Sequence, residues 1–256
     1  MSPQRLDSTA YTNAAVAEIA RMAEVVRGVD PDTPVPTCPE WSVAQLVRHV
    51  GTVHRWATQM VEDRVTERLD PGTLDLQVPD DAGGYADWLA AGAGPLARVF
   101  TTADPDGPMW AWGADQHVRF WPRRMLHETT VHRVDAQIAI GAQPNVDADT
   151  AADGIDELLE NLPAARYFRP RVADLRGSGE AIALRSTDGG PSWLIRLHAD
   201  GFRWERGAAV DATVTVVACT DALLLALYAR RAPTAEGIEV VGDELVLARW
   251  LESSAL

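Results

Sequence analysis

Glu128 and His132 lie four residues apart in the stretch RRMLHETTVHRVDAQ, residues 123–137. On a helix that spacing puts a carboxylate and an imidazole one turn apart on one face, near enough to share a single cation. A third donor must come from elsewhere, and His49, in WSVAQLVRHVGTVHRWATQM, is the best placed. Read as a helix at about 100° per residue, that stretch sets Leu46, Val50, Val53, Ala57 and Met60 on one face with His49 at its edge. Arg48, Thr52, Arg55 and Gln59 point the other way. A lone histidine on an apolar stripe is more often a satisfied core residue than a ligand. The second helix changes that balance, because Glu128 and His132 flank an apolar arc of Val131, Val134 and Ile138, so ionisable groups from two helices converge on one interior. A buried carboxylate is costly unless paired or metal-bound, and a cation is the simplest remedy.

His127 and Glu128 begin something like the H-E-x-x-H site of a zinc protease, but the sequence is HETTVH. Its histidines stand five positions apart, about 140° off a shared helical face, so His127 is expected at the exposed side. Glu128 also has Arg124 four residues earlier, and that salt bridge can form with or without a metal.

The elements that must carry these residues follow from pattern. A first helix is expected over about Ser8 to Val29, with Ala15, Ile19, Met22 and Val26 recurring at helical spacing. The proline-rich VDPDTPVPTCPEW ends it. Ser42 with Gln45 makes a capping box for the second helix, and Trp41 can staple onto Leu46, which explains Trp41 structurally; Cys38, just before it, could approach the metal end, a buried structural thiol being the commoner outcome. A third helix is expected over roughly Tyr85 to Thr102, weakened by Gly92 and Gly94 and open to a kink at Pro95. The connector carrying Trp110, Trp112 and Trp121 reads either as a lid over a pocket or as a plug for one end of a bundle. Four long helices in this order make a bundle, with ligands available from facing helices. The chain changes character near GAQPNVDADT. A helix at about Thr150 to Asn161 precedes strand signals in EAIALRST, PSWLIRLHA, GFRWERG and ATVTVVA, with a hairpin turn at Asp200 and Gly201. A helix in DALLLALYARR, a strand in GIEVVG and a helix in DELVLARWLESS complete an α+β domain.

The chain has 256 residues, 46% hydrophobic and 23% charged, as in an ordinary globular protein. A formal net charge of −14 argues against binding a nucleic acid backbone or an anionic membrane through the overall field. No apolar run is long enough to cross a bilayer, and MSPQRLDSTAYTN has neither a basic start nor an apolar signal core, so a cytoplasmic location is expected. Cys38 and Cys219, far apart in sequence, are expected as free thiols.

CPEWSVAQLVRHVGTVHRW, HETTVHRVDAQIA and DATVTVVACTDALLLALYARR with GIEVVGDELVLARW resemble the mycothiol-dependent maleylpyruvate isomerase family over nearly the whole chain. The resemblance implies a DinB-like metal-binding four-helix bundle over residues 1–148 and a small sterol-carrier-protein-like α+β domain over 149–256. It also implies that the metal is held by a histidine of the second helix and an E-x-x-x-H pair of the last bundle helix, here His49, Glu128 and His132. Members often have a Gly-Arg pair where this chain has Ala229 and Arg230, which makes Arg230 a candidate for contacting an anionic substrate. Asp135 is a second catalytic candidate, and Arg124 and His54 are candidates for the cofactor pocket.

Two imidazoles and one carboxylate leave zinc an open fourth position, the arrangement of a catalytic site. A thiol entering it is held as the nucleophilic thiolate at neutral pH. Mycothiol, the thiol that the resemblance implies, would then add to an electrophilic small molecule; reversal after bond rotation gives cis-trans isomerisation, and persistence of the adduct gives S-transfer. Two other classes stay open: a non-catalytic metal or small-molecule binder, and a metal-dependent hydrolase whose zinc activates water.

Overall fold

The computed structural model describes residues 6–207 and 211–254; the opening MSPQR of the N-terminal stretch lies outside them. Helix α1 runs Ser8–Val26, with the Asp7 side chain accepting from the Ala10 N–H at 2.8 Å as its N-cap. It buries Ala15, Ile19, Met22 and Val26 as the spacing predicts, but stops three residues short of Val29. Arg27 is already extended, and Gly28 adopts a left-handed conformation (φ +71°) that ends the turn. Helix α2 is Val43–Asp63, and the Ser42 N–H donates to Gln45 Oε1 at 2.8 Å in the expected capping box.

The third helix is broken in two: α3 is Tyr85–Ala91 and α4 is Ala93–Thr102. Gly92 closes α3 by donating to Leu89 O at 3.1 Å, and Pro95 in the first turn of α4 has no N–H to carry the α3 ladder forward. A second glycine sets how closely α2 and α3 pack, because a Cβ on Gly51 would fall inside the indole of Trp88.

Helix α5, Phe120–Ala139, runs antiparallel to α2, and both α1 and α2 pack against α4 and α5. Their shared interior holds Ile19, Met22, Leu46, Met60, Leu96 and Met125, each essentially inaccessible. Each such burial stabilises by roughly 1.5–3 kcal/mol. Fifteen of the twenty residues of α5 are buried, so its charged side chains need partners; Arg133 Nε donates to Glu18 Oε2 on α1 at 2.5 Å. Where α2 ends and α5 begins, the rings of Trp56, Trp110 and Trp121 lie 5.4–6.1 Å apart by centroid, and the Trp110 N–H donates to Val65 O at 2.8 Å. Trp110 and Trp121 thus plug that end of the bundle. Trp112 instead sits edge-on to Phe120, with its ring 5.8 Å from the Arg124 guanidinium carbon.

The described residues up to Pro144 form one compact unit and those from Asn145 on form another. The second begins with α6, Ala148–Ala165, which starts two residues earlier than its apolar pattern suggests because Asp147 caps it, and which runs four residues past Asn161. A five-stranded sheet follows, in the order β3-β2-β1-β4-β5, from β1 Ala181–Ser186, β2 Trp193–His198, β3 Gly201–Arg206, β4 Val214–Ala218 and β5 Glu239–Gly242. Strands β2 and β3 form the expected hairpin, with His198 opposite Gly201; β1 and β4 are parallel, and the other pairs are antiparallel. Helix α7, Thr220–Leu227, and helix α8, Glu244–Ser254, complete the unit. After α7, the Ala229 N–H bonds Ala226 O at 3.0 Å and the Arg230 N–H bonds Leu225 O at 2.7 Å, with Ala229 at φ +58°. That is a Schellman cap with an alanine in the left-handed position that favours glycine.

Candidate metal centre

Helix α2 carries His49 at the edge of its buried face, and antiparallel α5 presents Glu128 and His132 one turn apart opposite it. His49 Nε2 lies 3.2 Å and His132 Nε2 3.4 Å from the same oxygen, Glu128 Oε1. One donor atom from each residue falls within 4.8 Å of the other two. Bonds of about 2.0–2.1 Å to a tetrahedral zinc place neighbouring donors about 3.3 Å apart, so this donor set suits such an ion. The side chains of His49, Glu128 and His132 are 36%, 22% and 12% exposed, which leaves the group open to solvent on the His49 side.

Electrostatics follow from the same contacts. Burial alone would raise the Glu128 carboxyl, but hydrogen bonds to His132 and His49 and the nearby charges outweigh it and hold the carboxyl well below the usual range. Burial alone would lower the His132 imidazole; hydrogen bonds to Asp135, Cys38 and Glu128 outweigh it and hold the ring well above its ordinary value. Arg124, expected to pair with Glu128, does so through Oε2 at 3.3 Å and is itself buried.

Behind the trio, Asp135 is fully buried. Its Oδ2 lies 2.8 Å from His132 Nδ1, which fixes the proton on that nitrogen and turns Nε2 towards Glu128. The Thr37 hydroxyl donates to Asp135 Oδ1 at 2.6 Å, and the Cys38 thiol donates to Oδ2 at 3.4 Å. Both come from the proline-rich connector, which folds back on itself: the Val35 N–H reaches Trp41 O at 2.9 Å, and the Cys38 N–H reaches Val35 O at 3.0 Å.

The structure corrects three readings of the sequence and adds one residue to the site. Thr37 was not among the candidates, since a threonine between prolines carries no periodic signal. Trp41, expected only to staple onto Leu46, has its ring 4.9 Å from that of His49 and 6.2 Å from that of His132, so it walls the site. His127, expected exposed, is 1% exposed, because α5 is enclosed on the side away from the trio as well. His54, a pocket candidate, is wholly inaccessible and cannot line a pocket. Its Nε2 pairs with Thr129 Oγ1 at 2.8 Å, and burial pushes its pKa down to about 3, so the ring is neutral. Arg230 belongs to the other unit from the trio; it is half-buried and donates from its guanidinium to Tyr228 O at 2.7 Å.

The model of the mycothiol maleylpyruvate isomerase N-terminal domain matches residues 12–137, and that of the C-terminal domain of the same family matches residues 149–249. A crystal structure of the mycothiol-dependent maleylpyruvate isomerase aligns with a TM-score of 0.60 at 13% identity, covering 92% of this chain and 93% of its own. A histidine-to-alanine mutant of that isomerase gives 0.61 at 12% identity, with the same coverage. At such identity the likeness shows the fold: a helical N-terminal region followed by a small mixed sheet with helices. Among curated proteins, none matches the sequence.

Proposed function

The chain belongs to the mycothiol maleylpyruvate isomerase family, and from that premise we propose a divalent-metal-dependent enzyme that joins a low-molecular-weight thiol, mycothiol, to an electrophilic small molecule. The observation that carries this reading is the convergence of two imidazoles and a carboxylate within 4.8 Å on a partly exposed face. His49, Glu128 and His132 would hold the ion, zinc being the best match to their donor types. When bound, zinc supplies a Lewis acid that keeps a thiol as its thiolate.

The protein's own groups set up the rest. Asp135 keeps the proton of His132 on Nδ1, so that Nε2 offers its lone pair to the ion. Thr37 holds Asp135 in turn, and Arg124 orients Glu128 through the oxygen that the histidines do not share. Trp41 excludes water from one side of the two imidazoles and offers an apolar face to a substrate. Addition of the thiol sulfur across a conjugated double bond, then rotation and elimination, exchanges cis for trans; retention of the adduct is S-transfer.

Metal-free protein should bind a first equivalent of Zn(II), with affinity falling at least about 100-fold in His49→Ala and Glu128→Ala. Unchanged affinity in both variants removes the site. Incubation with mycothiol and a panel of conjugated electrophiles, followed by mass spectrometry, should give isomerised product or thioether only with metal and thiol together. Turnover with metal but without thiol would assign a hydrolase instead, and metal binding without turnover a binding protein.

A further inference from the structure

Cys38, His132 and Asp135 form a second group of donors, in which Cys38 and Asp135 serve the proposed reaction only as support and His132 is shared with the first. We infer that these three form a second cation position, on the opposite ring nitrogen of His132 from the first, so that His132 can bridge two divalent ions. The inference rests on the reading of His49, Glu128 and His132 as the first position.

The donor types are a thiol, an imidazole and a carboxylate, a set that suits zinc or cobalt(II). One ligand atom from each lies within 4.8 Å of the others. Cys38 Sγ and Asp135 Oδ2 are 3.4 Å apart, against about 3.5 Å for sulfur and oxygen on one tetrahedral zinc. His132 Nδ1 and Asp135 Oδ2, at 2.8 Å, would have to part by about 0.5 Å to reach the corresponding spacing. Thr37 occupies Oδ1, so Oδ2 is the oxygen that faces both the thiol and the imidazole. A cation placed among these atoms replaces two donated protons, one from Cys38 Sγ and one from His132 Nδ1, and both leave to solvent.

Charge allows both loading states in this buried setting. With one ion, its two positive charges meet the carboxylates of Glu128 and Asp135. With two ions, four positive charges meet those carboxylates, the Cys38 thiolate and the bridging imidazolate. Arg124 adds the same single positive charge in each case. Filling the second position thus changes no net charge on the ions and their ligands, which limits the desolvation cost of adding an ion. It follows the first, because two protons must be given up beside an ion already bound.

The test is titration of metal-free protein with Co(II), read by absorption. Wild type should take two equivalents, with near-ultraviolet thiolate-to-cobalt absorption arriving only with the second. Cys38→Ser should drop to one equivalent and lose that absorption, and Cys219→Ser should match wild type. His49→Ala should show the thiolate absorption with the first equivalent added. Saturation of wild type at one equivalent without that absorption, or its survival in Cys38→Ser, overturns the second position while leaving the first intact. Loss of all binding in His49→Ala overturns it too. Thiolate absorption at the first equivalent in wild type, unaffected by His49→Ala, would keep the Cys38 position and sink the first.

Discussion

Replacing Asp135 by asparagine tests how the candidate centre is held. The carboxylate accepts on both oxygens: Thr37 at 2.6 Å on Oδ1, and His132 Nδ1 at 2.8 Å with Cys38 at 3.4 Å on Oδ2. Asparagine has one acceptor and one donor end, so whichever way the amide turns, an NH2 faces an existing donor. If it faces Thr37, the hydroxyl rotates away and the imidazole keeps a weaker, neutral partner. If it faces His132, the ring loses its tautomer and Nε2 no longer offers a lone pair to the ion. Loss of a supporting partner of this kind lowers metal affinity by about 10–100-fold, equivalent to about 1.4–2.8 kcal/mol. Thr37→Val removes one hydrogen bond to the far oxygen and should cost less, about 0.5–1.5 kcal/mol. Competition with a chromogenic chelator at substoichiometric Zn(II), on variants whose circular dichroism matches wild type, measures both. Affinity in Asp135→Asn within twofold of wild type, or a larger loss in Thr37→Val than in Asp135→Asn, would refute the assigned order of support.

Three further outcomes follow from the fold. His54 has its folded pKa lowered to about 3 by burial, so its contribution to stability is complete above its unfolded value near 6.5 and is lost as pH falls. Wild type should therefore lose up to about 1.4 kcal/mol per pH unit more than His54→Gln between about pH 6 and pH 4, in urea melts at each pH; parallel curves would contradict it. Ala229→Gly relieves a left-handed alanine at φ +58° and should raise stability by about 0.5–1 kcal/mol, a rise in urea midpoint that no other glycine introduced on α7 should reproduce. Gly51→Ala forces the Trp88 indole away from α2 and should cost about 1–3 kcal/mol; a thermal midpoint at or above that of wild type would show that the α2–α3 contact is looser than described.

The trio was legible because its spacing is local: i to i+4 on α5, plus a histidine at the rim of a clean apolar stripe on α2. The strands of the second unit were legible for the same reason, since alternation and an Asp-Gly turn are short-range signals. What escaped was tertiary. Whether His127 meets solvent depends on what packs on the far side of α5, and no periodicity within α5 carries that. Thr37 and Trp41 reach the site through a connector whose prolines signal only that a helix ends, not where the chain goes next. The Gly92 break was half visible: glycine and proline marked a weak helix, but the split into two followed from the hydrogen bond that closes α3 at Leu89.

His49, more than a third exposed, is the outermost of the three donors, and the apolar core of the bundle is built from other residues. On the proposed reading, an ion would exchange through the His49 side while the surrounding helices stay packed. Chelation should empty the centre without melting the protein, unlike a zinc finger, whose fold vanishes with its metal. Occupancy would then track the free-cation concentration of the surroundings, and the folded chain could wait, assembled, for its ion.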